Sequence, residues 1–404
     1  MRLVAGVFAV CILLSPSVFA QTETSGSRSN ATEKIIIDTD IGGDIDDAFA
    51  VGLALRSPEF KILGISSAWG DTHLRARLLS RLLKETGRTD ISVAMGIAKH
   101  PAGKLDTLSQ ARYAEGGPAE QNYPNAVDFL LDQIRRHPGE ITLIAIGPET
   151  NLGAAIDRDA ATFRRLKRVV LMGGSVYRGY SQFNYGKTHG PDPEWNILCD
   201  IQAAQKVFSS GVPLYVMPLD STQIKLQELE RAEIFKAGTA LTDALLVLYT
   251  QWSRGAALTP TLFDAVAVAY AMHPELCPTE LMRLRVDEQG YTRVEAGAPN
   301  AQVCLRSSSD QFLEFFMPRI LAPGLLGSAN GTRTRDFRRS AARNLVKSGV
   351  DRRTAMKITG HKTEAIFERY NIKATDDVKA ALLKVGRYKV AGTVTQIAEK
   401  STAR

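Results

Sequence analysis

The strongest constraint on the fold is a set of short β-branched runs with no polar face. KIIID, FKILGISSAW, ITLIAIG, RVVLMGG and VPLYVMPLD follow one another along the chain, several of them apolar throughout. Between them lie longer amphipathic stretches such as LRARLLSRLLKETG, AVDFLLDQIRRH and DIQAAQKVFSSG. A strand with one wet face alternates polar and apolar residues, whereas a strand that is apolar on both faces must be covered on both. Helices between the strands supply that cover. The pattern therefore predicts an α/β fold, an open and mostly parallel sheet flanked by helices, over residues 33–322. In such sheets ligands sit beyond the carboxyl ends of the strands, where the loops gather.

The first strand runs straight into that edge. IIIDTDIGGDIDDAFAV, residues 35–51, places five aspartates within ten positions and brackets them with apolar residues. Carboxylates held a few ångströms apart repel one another unless a cation or shared protons offset the repulsion, and charges are rarely buried without partners. Three or more carboxylates converging with backbone carbonyls make a hard-oxygen site suited to Ca²⁺ or Mg²⁺. A water on such an ion has a lowered pKa, and a neighbouring carboxylate can take its proton, which serves hydrolysis. HExxH, GxSxG and GxxxxGK[ST] are all absent, so the zinc-peptidase, serine-hydrolase and phosphate-loop classes are weakly supported. The same stretch also resembles the DxDx opening of haloacid-dehalogenase-type phosphatases. In that alternative Asp38 would be a phosphorylated nucleophile and Asp40 an acid/base.

Five motifs, in order, resemble the nucleoside hydrolases of the inosine/uridine-preferring type. DTDIGGDIDDAFAV is similar to the family's N-terminal signature, in the version with two extra residues between the glycine and the DD pair. GPETNLGAAI resembles the segment whose threonine carbonyl binds calcium, VVLMGGS a substrate-lining strand end, PEWNILCD the ribose-binding segment, and LFDAVAVAYA the segment with the last calcium aspartate. The resemblance covers roughly residues 33–322 and implies calcium-dependent hydrolysis of ribonucleosides to ribose and free base. It makes Asp40 a calcium ligand that is also the general base, and Asp47 a second, bidentate ligand. The Thr150 backbone carbonyl and Asp264 complete the set, and Asp46 bonds a ribose hydroxyl. Glu194 and Asn196 match residues that grip sugar hydroxyls, with Met172 packed near them. The implied partner is a ribonucleoside, and a homo-oligomer is expected. A cis-diol replacing two waters on calcium selects ribose and places the attacking water at the anomeric carbon, where an oxocarbenium ion develops. Taken without the resemblance, Thr150 and Asn151 also suit a helix cap, and Glu194 and Asn196 a solvated loop.

Two positions depart from the family pattern. The histidine that usually precedes the last aspartate and protonates the leaving base is Phe263, and the asparagine after the second strand is Asp71, in AWGDTH. His189, in the glycine-rich loop YGKTHGPDPEW, is the expected substitute proton donor after loop closure. The alternative is stacking of Trp69 or Trp195 on the base, as in the purine-specific branch.

The two ends of the chain carry other signals. MRLVAGVFAVCILLSPSVFA, residues 1–20, has a basic Arg2, an apolar run from Leu3 to Leu14, and Val18 and Ala20 placed for cleavage. This is the layout of a secretory signal peptide, and it is too short to span a bilayer well. The polar linker 21–32 follows. An exported protein, periplasmic or secreted, with no membrane span after cleavage is expected. Cys199, Cys277 and Cys304 would remain, and an odd count at wide spacing suggests neither a disulfide framework nor a zinc site.

From Gly331 onward there are 18 Lys+Arg against 7 Asp+Glu, a net of +11, which leaves 32 against 36 upstream. After a Gly/Ser-containing junction at 323–331, TRDFRRSAARNLVKSGVDRRTAMKITGHKTEAIFERYNI resembles the C-terminal end of a tyrosine recombinase or phage integrase. Arg338 matches the second catalytic arginine, His361 in TGH the late histidine, and Tyr370 the nucleophile; Arg335 stands where a histidine is usual. The match spans only residues 332–375 and lacks the first catalytic arginine and the sheet lysine. DNA recombination is thus the alternative function of the chain, in an inactive form. The helical tail 332–404 is expected to bind nucleic acid at most weakly, through phosphates.

Overall fold

The computed structural model describes residues 32–99, 108–115, 122–181, 189–323 and 351–358. The expected signal peptide, and Arg338, His361 and Tyr370 of the tail, lie outside the described residues. The chain begins β1 (Glu33–Thr39), α1 (Asp46–Leu55), β2 (Phe60–Ser67), α2 (Thr72–Glu85), β3 (Ser92–Met95), α3 (Ala111–Glu115) and α4 (Ala126–Arg136). It continues β4 (Ile141–Ile146), α5 (Thr150–Phe163), β5 (Arg168–Met172), α6 (Trp195–Cys199), α7 (Ile201–Ser209), β6 (Leu214–Met217), α8 (Leu219–Thr222), α9 (Glu228–Lys236) and α10 (Ala240–Trp252). It ends with α11 (Phe263–Met272), β7 (Thr279–Met282), β8 (Leu284–Val286), β9 (Thr292–Val294), β10 (Ala301–Cys304), α12 (Ser309–Leu321) and, in the tail, α13 (Arg352–Ile358).

Eight strands form one sheet in the order β3-β2-β1-β4-β5-β6-β10-β7. All are parallel to their neighbours except β7, which runs antiparallel to β10. The apolar runs behave as expected of doubly covered strands. Within β1, Ile35 and Ile37 belong to one core, with side chains of α1, α2 and α10–α12, while Ile36 belongs to the other, with α4, α5 and α7. From β1 the chain moves outward to β2 and β3, then returns to the opposite side for β4. The loops after β1 and β4 therefore diverge, and the crevice between them is where a parallel sheet offers a ligand site. Glycine lets the two loops approach there. A Cβ on Gly147, just after β4, would lie 2.7 Å from the Asp40 amide nitrogen.

Two short helical starts complete the crevice. Every residue of α1 is buried, and all of α11 but Met272, so this pair packs as core. The domain closes with α12, where Phe312, Phe316 and Ile320 recur every four residues and form its buried stripe. No helix among the described residues is long and apolar enough to cross a membrane.

The cysteines differ from the sequence expectation. Cys277 and Cys304 form a disulfide with Cα atoms 5.6 Å apart, and Cys199 is free and buried. The pairing arises because antiparallel β7 and β10 set Cys304 opposite Thr279, two residues beyond Cys277. A separation of 27 residues in sequence carries no hint of that register. Replacing both cysteines by serine should lower the unfolding free energy by about 3–4 kcal/mol through the loop-closure entropy of the denatured chain. Denaturant titration of the double variant checks this, and an unchanged midpoint would count against a structural role.

Candidate active site

Three parts of the chain deliver carboxylates to one point beyond β1. The loop after β1 carries Asp40, α1 opens with Asp46 and Asp47, and Asp264 lies in the first turn of α11. One oxygen from each of Asp46, Asp47 and Asp264 lies within 4.8 Å of the others, and all three residues are buried. Asp46 and Asp264 share a hydrogen bond, and the Thr39 hydroxyl donates to Asp47. A first-turn position lets the positive end of each helix offset part of the negative charge. It does not offset most of it. Burial first, then the charges of Asp44 and Asp40, push the Asp46 carboxyl well above its ordinary value. Burial, Asp40 and Asp46 do the same to Asp47, and burial, Asp46, Asp47 and Asp40 to Asp264. Asp40 itself lines the cavity. Such a set of hard oxygens, kept from ionising by burial and mutual repulsion, fits a divalent cation of the calcium type.

The sugar side of the site stands on α6. Glu194 caps that helix, accepting from the Asn196 and Ile197 amides at 3.0 and 3.2 Å, and also accepts from Gly174 at 3.1 Å. It is only 2% exposed, so the segment is no solvated loop. Burial raises the Glu194 carboxyl to about 7 against these three amides, with the charge of Asp40 adding to the rise. Asn196 donates to the Met172 carbonyl at 3.1 Å, which ties α6 to the end of β5.

A cavity of about 700 Å³ opens over both groups and is lined by Asp40, Asp46, Asp47, Asp264, Met172, Glu194 and Asn196. Its aromatic wall is Trp69, Trp195, Trp252, Tyr180 and Phe263. Trp69 is buried and holds a backbone φ of 55°, a conformation that costs energy for a bulky residue and tends to mark functional sites. It meets Trp195 edge to face at 5.7 Å, and Trp195 stays 43% exposed. Tyr180 packs edge to face on Phe263 at 6.1 Å, and its hydroxyl accepts from the Trp195 amide at 2.9 Å. Burial and the charge of Glu194 hold that hydroxyl protonated, well above its usual value. Tyr180 and Trp252 belong to none of the motifs singled out in the sequence. The signal available was composition, since the chain has three tryptophans and all of them line this cavity. A second groove, of about 610 Å³, lies at the β6–β10 side, and Glu295 within it is ion-paired with Arg285.

Several sequence candidates occupy other positions. Asp71 caps α2 by accepting from the Leu74 amide at 2.9 Å and is not on the cavity wall. His189 is held between the Tyr180 carbonyl, 3.1 Å, and Asp192, 3.3 Å, also off the wall. Thr150 opens α5 and is buried, but its hydroxyl donates to Asp200 at 2.8 Å. Asn151 donates to Asp38 at 2.8 Å and to the Ser67 carbonyl at 3.0 Å. Neither caps the helix. Asp38, the nucleophile of the phosphatase alternative, is 2% exposed and taken up by Asn151 and Ser66. It does not line the cavity, so that alternative lacks its nucleophile.

The comparisons with known proteins agree with this geometry. The model of the inosine-uridine preferring nucleoside hydrolases matches residues 35–314. Uridine nucleosidase 1 of Arabidopsis thaliana is 30% identical over 284 residues, 66% of this chain and 82% of that protein. Pyrimidine-specific ribonucleoside hydrolase RihA of Citrobacter koseri is 30% identical over 316 residues, 71% of this chain and 97% of that protein. Among solved structures, a purine-preferring ribonucleoside hydrolase from Gardnerella vaginalis has a TM-score of 0.60 at 26% identity, over 72% of this chain and 98% of that one. A plant nucleoside hydrolase, PpNRh1, has a TM-score of 0.63 at 24% identity, over 72% and 100%, and shares the fold. The matched span holds the whole carboxylate cluster and stops short of the basic tail. The chain belongs to the inosine-uridine preferring nucleoside hydrolase family and is a hydrolase acting on N-glycosyl bonds.

Proposed function

We propose that the cavity hydrolyses the N-glycosidic bond of ribonucleosides in a calcium-dependent reaction. Asp40, Asp47, Asp264 and the Thr150 backbone carbonyl would hold the ion, with Asp46 turned to a ribose hydroxyl. The observation that carries this reading is the trio of buried carboxylates Asp46, Asp47 and Asp264 within 4.8 Å of one another, with Asp40 on the wall of the same aromatic cavity. When bound, calcium supplies a coordination site for the ribose diol and a water of lowered pKa. Asp40, one of the carboxylates on the wall, would accept the proton of the attacking water. Glu194 and Asn196 orient the sugar, and the carboxylates together stabilise positive charge developing on the ring. The base lies against Trp69 and Trp195. Phe263 has no proton to give, and His189 is tied to Asp192, so an acid role for His189 requires the loop to move.

Asp264→Ala should abolish ribose release from inosine and uridine while leaving the circular dichroism spectrum intact; wild-type turnover in that variant, or full activity after exhaustive chelation, would sink the reading.

The raised carboxyls also set a pH dependence. Asp38 rises to about 6 and Glu194 to about 7, both mainly through burial, and the cluster aspartates are raised as well. A carboxyl whose folded pKa is raised contributes stability that is present below its unfolded value and lost as pH climbs through the folded one. For Asp38 and Glu194 that loss is on the order of 3 kcal/mol each. The chelated protein should therefore melt at lower temperature as pH rises from 5 to 8, and added calcium should stabilise it more at pH 8 than at pH 5. Identical melting curves at the two pH values, with and without calcium, would contradict this.

The remaining expectations are of other kinds. Export is supported by the Cys277–Cys304 disulfide, which suits an oxidising compartment. The basic tail is proposed to be dispensable for hydrolysis. A chain ended at Gly331 should keep ribose release within a few-fold of the full chain, and loss of activity with the fold intact would assign the tail a part in the enzyme.

A further inference from the structure

One buried guanidinium gathers backbone carbonyls from two separate loops. Arg75, near the start of α2 and 1% exposed, donates from Nε to the Trp69 carbonyl at 2.9 Å. From Nη1 it donates to the Ile41 carbonyl at 3.0 Å and to the Asp40 carbonyl. Asp40 and Ile41 belong to the carboxylate loop, and Trp69 is the strained residue of the aromatic wall. The planar fork of an arginine can meet both loops only if they keep one relative position. Among the described residues of the cavity wall Arg75 is also the buried cation, since Arg254, the other arginine there, is exposed. Its charge is drawn to Asp47, and a buried cation needs such compensation.

We propose that Arg75 is a positioning residue that couples the carboxylate loop to the tryptophan wall, so that divalent-cation binding and base binding each strengthen the other. With no cation, the guanidinium holds the three carbonyls beside carboxyls that burial and mutual repulsion keep protonated. Once a cation displaces those protons, the ionised carboxylates pull on the guanidinium, and the carbonyls it holds, Trp69 included, are fixed with it. The two states thus differ in the charge that Arg75 faces, which is the differential interaction that coupling requires. The inference rests on the calcium-dependent reading above, and its test uses binding and no turnover.

The probe is a free base, hypoxanthine or uracil, whichever quenches the wild-type tryptophans. All three tryptophans line the cavity, so intrinsic fluorescence reports on it. A free base has no hydroxyls to meet the ion, so any linkage must run through the protein. In the wild type, calcium should tighten base binding on the order of 5-fold, and base should tighten calcium binding by the same factor, as linkage demands. Arg75→Lys keeps the charge but cannot span both loops; Arg75→Met removes both. Each should bind calcium and base with a linkage factor near one. A merely structural role would weaken both affinities and leave their ratio coupled. The proposal fails if the wild type shows no linkage, or if the lysine variant keeps it. Should the methionine variant not fold, the wild type and Arg75→Lys decide alone. A wild type that binds no calcium would sink the metal reading itself and this proposal with it.

Discussion

The mutual repulsion of the carboxylates beyond β1 is the constraint around which the rest of this protein is arranged. Two unit charges about 5 Å apart near a protein surface repel by about 3–4 kcal/mol, and Asp46, Asp47 and Asp264 make three such pairs. The sum is comparable to the whole stability of a typical domain, about 5–15 kcal/mol. The three cannot stand ionised together without help. Either they hold protons, as the raised carboxyls indicate, or a cation neutralises them. The same feature that burdens the fold is the one that suits the cluster to a hard divalent ion.

The architecture shows how the chain tolerates that burden. Strand order reverses between β1 and β4, which opens a crevice at the carboxyl edge of the sheet. Two buried helices then begin at the crevice, and each places its aspartates in its first turn, where the helix dipole is favourable. The strand ends are bolted together by Asn151, which reaches Asp38 of β1, Ser67 of β2 and, by accepting from Ile97 at 2.9 Å, the loop after β3. Rigid strand ends leave the carboxylates little freedom to move apart. Their repulsion is therefore retained for a ligand to relieve instead of being dissipated by local unfolding.

Much of this was legible in the sequence, and the physics explains which parts. Strands covered on both faces are continuous apolar runs, so β1, β2, β4, β5 and β6 announce themselves. A carboxylate cluster after such a run announces a site, and Asp40, Asp46, Asp47, Met172, Glu194, Trp195, Asn196 and Asp264 do meet in one cavity. Short edge strands carry too few residues for a pattern, which is why β3 and β7 were silent and the disulfide with them. Asp71 and His189 show the limit of carrying roles across a family by position. Asp71 satisfies an open amide of α2, and His189 a neighbouring carboxylate, both local demands that outrank a place on the wall. Tyr180 and Arg75 were missed for the opposite reason. Their defining partners come from other parts of the chain, the carbonyls of Asp40 and Ile41 for Arg75 and the ring of Phe263 for Tyr180, and no short motif encodes such contacts.

The aromatic wall bears on how the base departs without the usual imidazole. A general acid contributes 10²–10⁴-fold, or roughly 3–5 kcal/mol of barrier. Stacking a base on an aromatic ring is worth about 1–3 kcal/mol, and only the part gained as the base leaves lowers the barrier. Stacking on Trp69 and Trp195 therefore falls short of replacing an acid. An apolar wall of Phe263 and tryptophans also lowers the local dielectric, which strengthens the pull of the carboxylates on the developing oxocarbenium ion. Among the described residues Tyr180 brings the one phenol on the wall, and its hydroxyl, held protonated by burial and the charge of Glu194, donates to Glu194 at 3.5 Å. Stacking and burial against such a wall would accordingly favour departure of a base whose own charge is well delocalised.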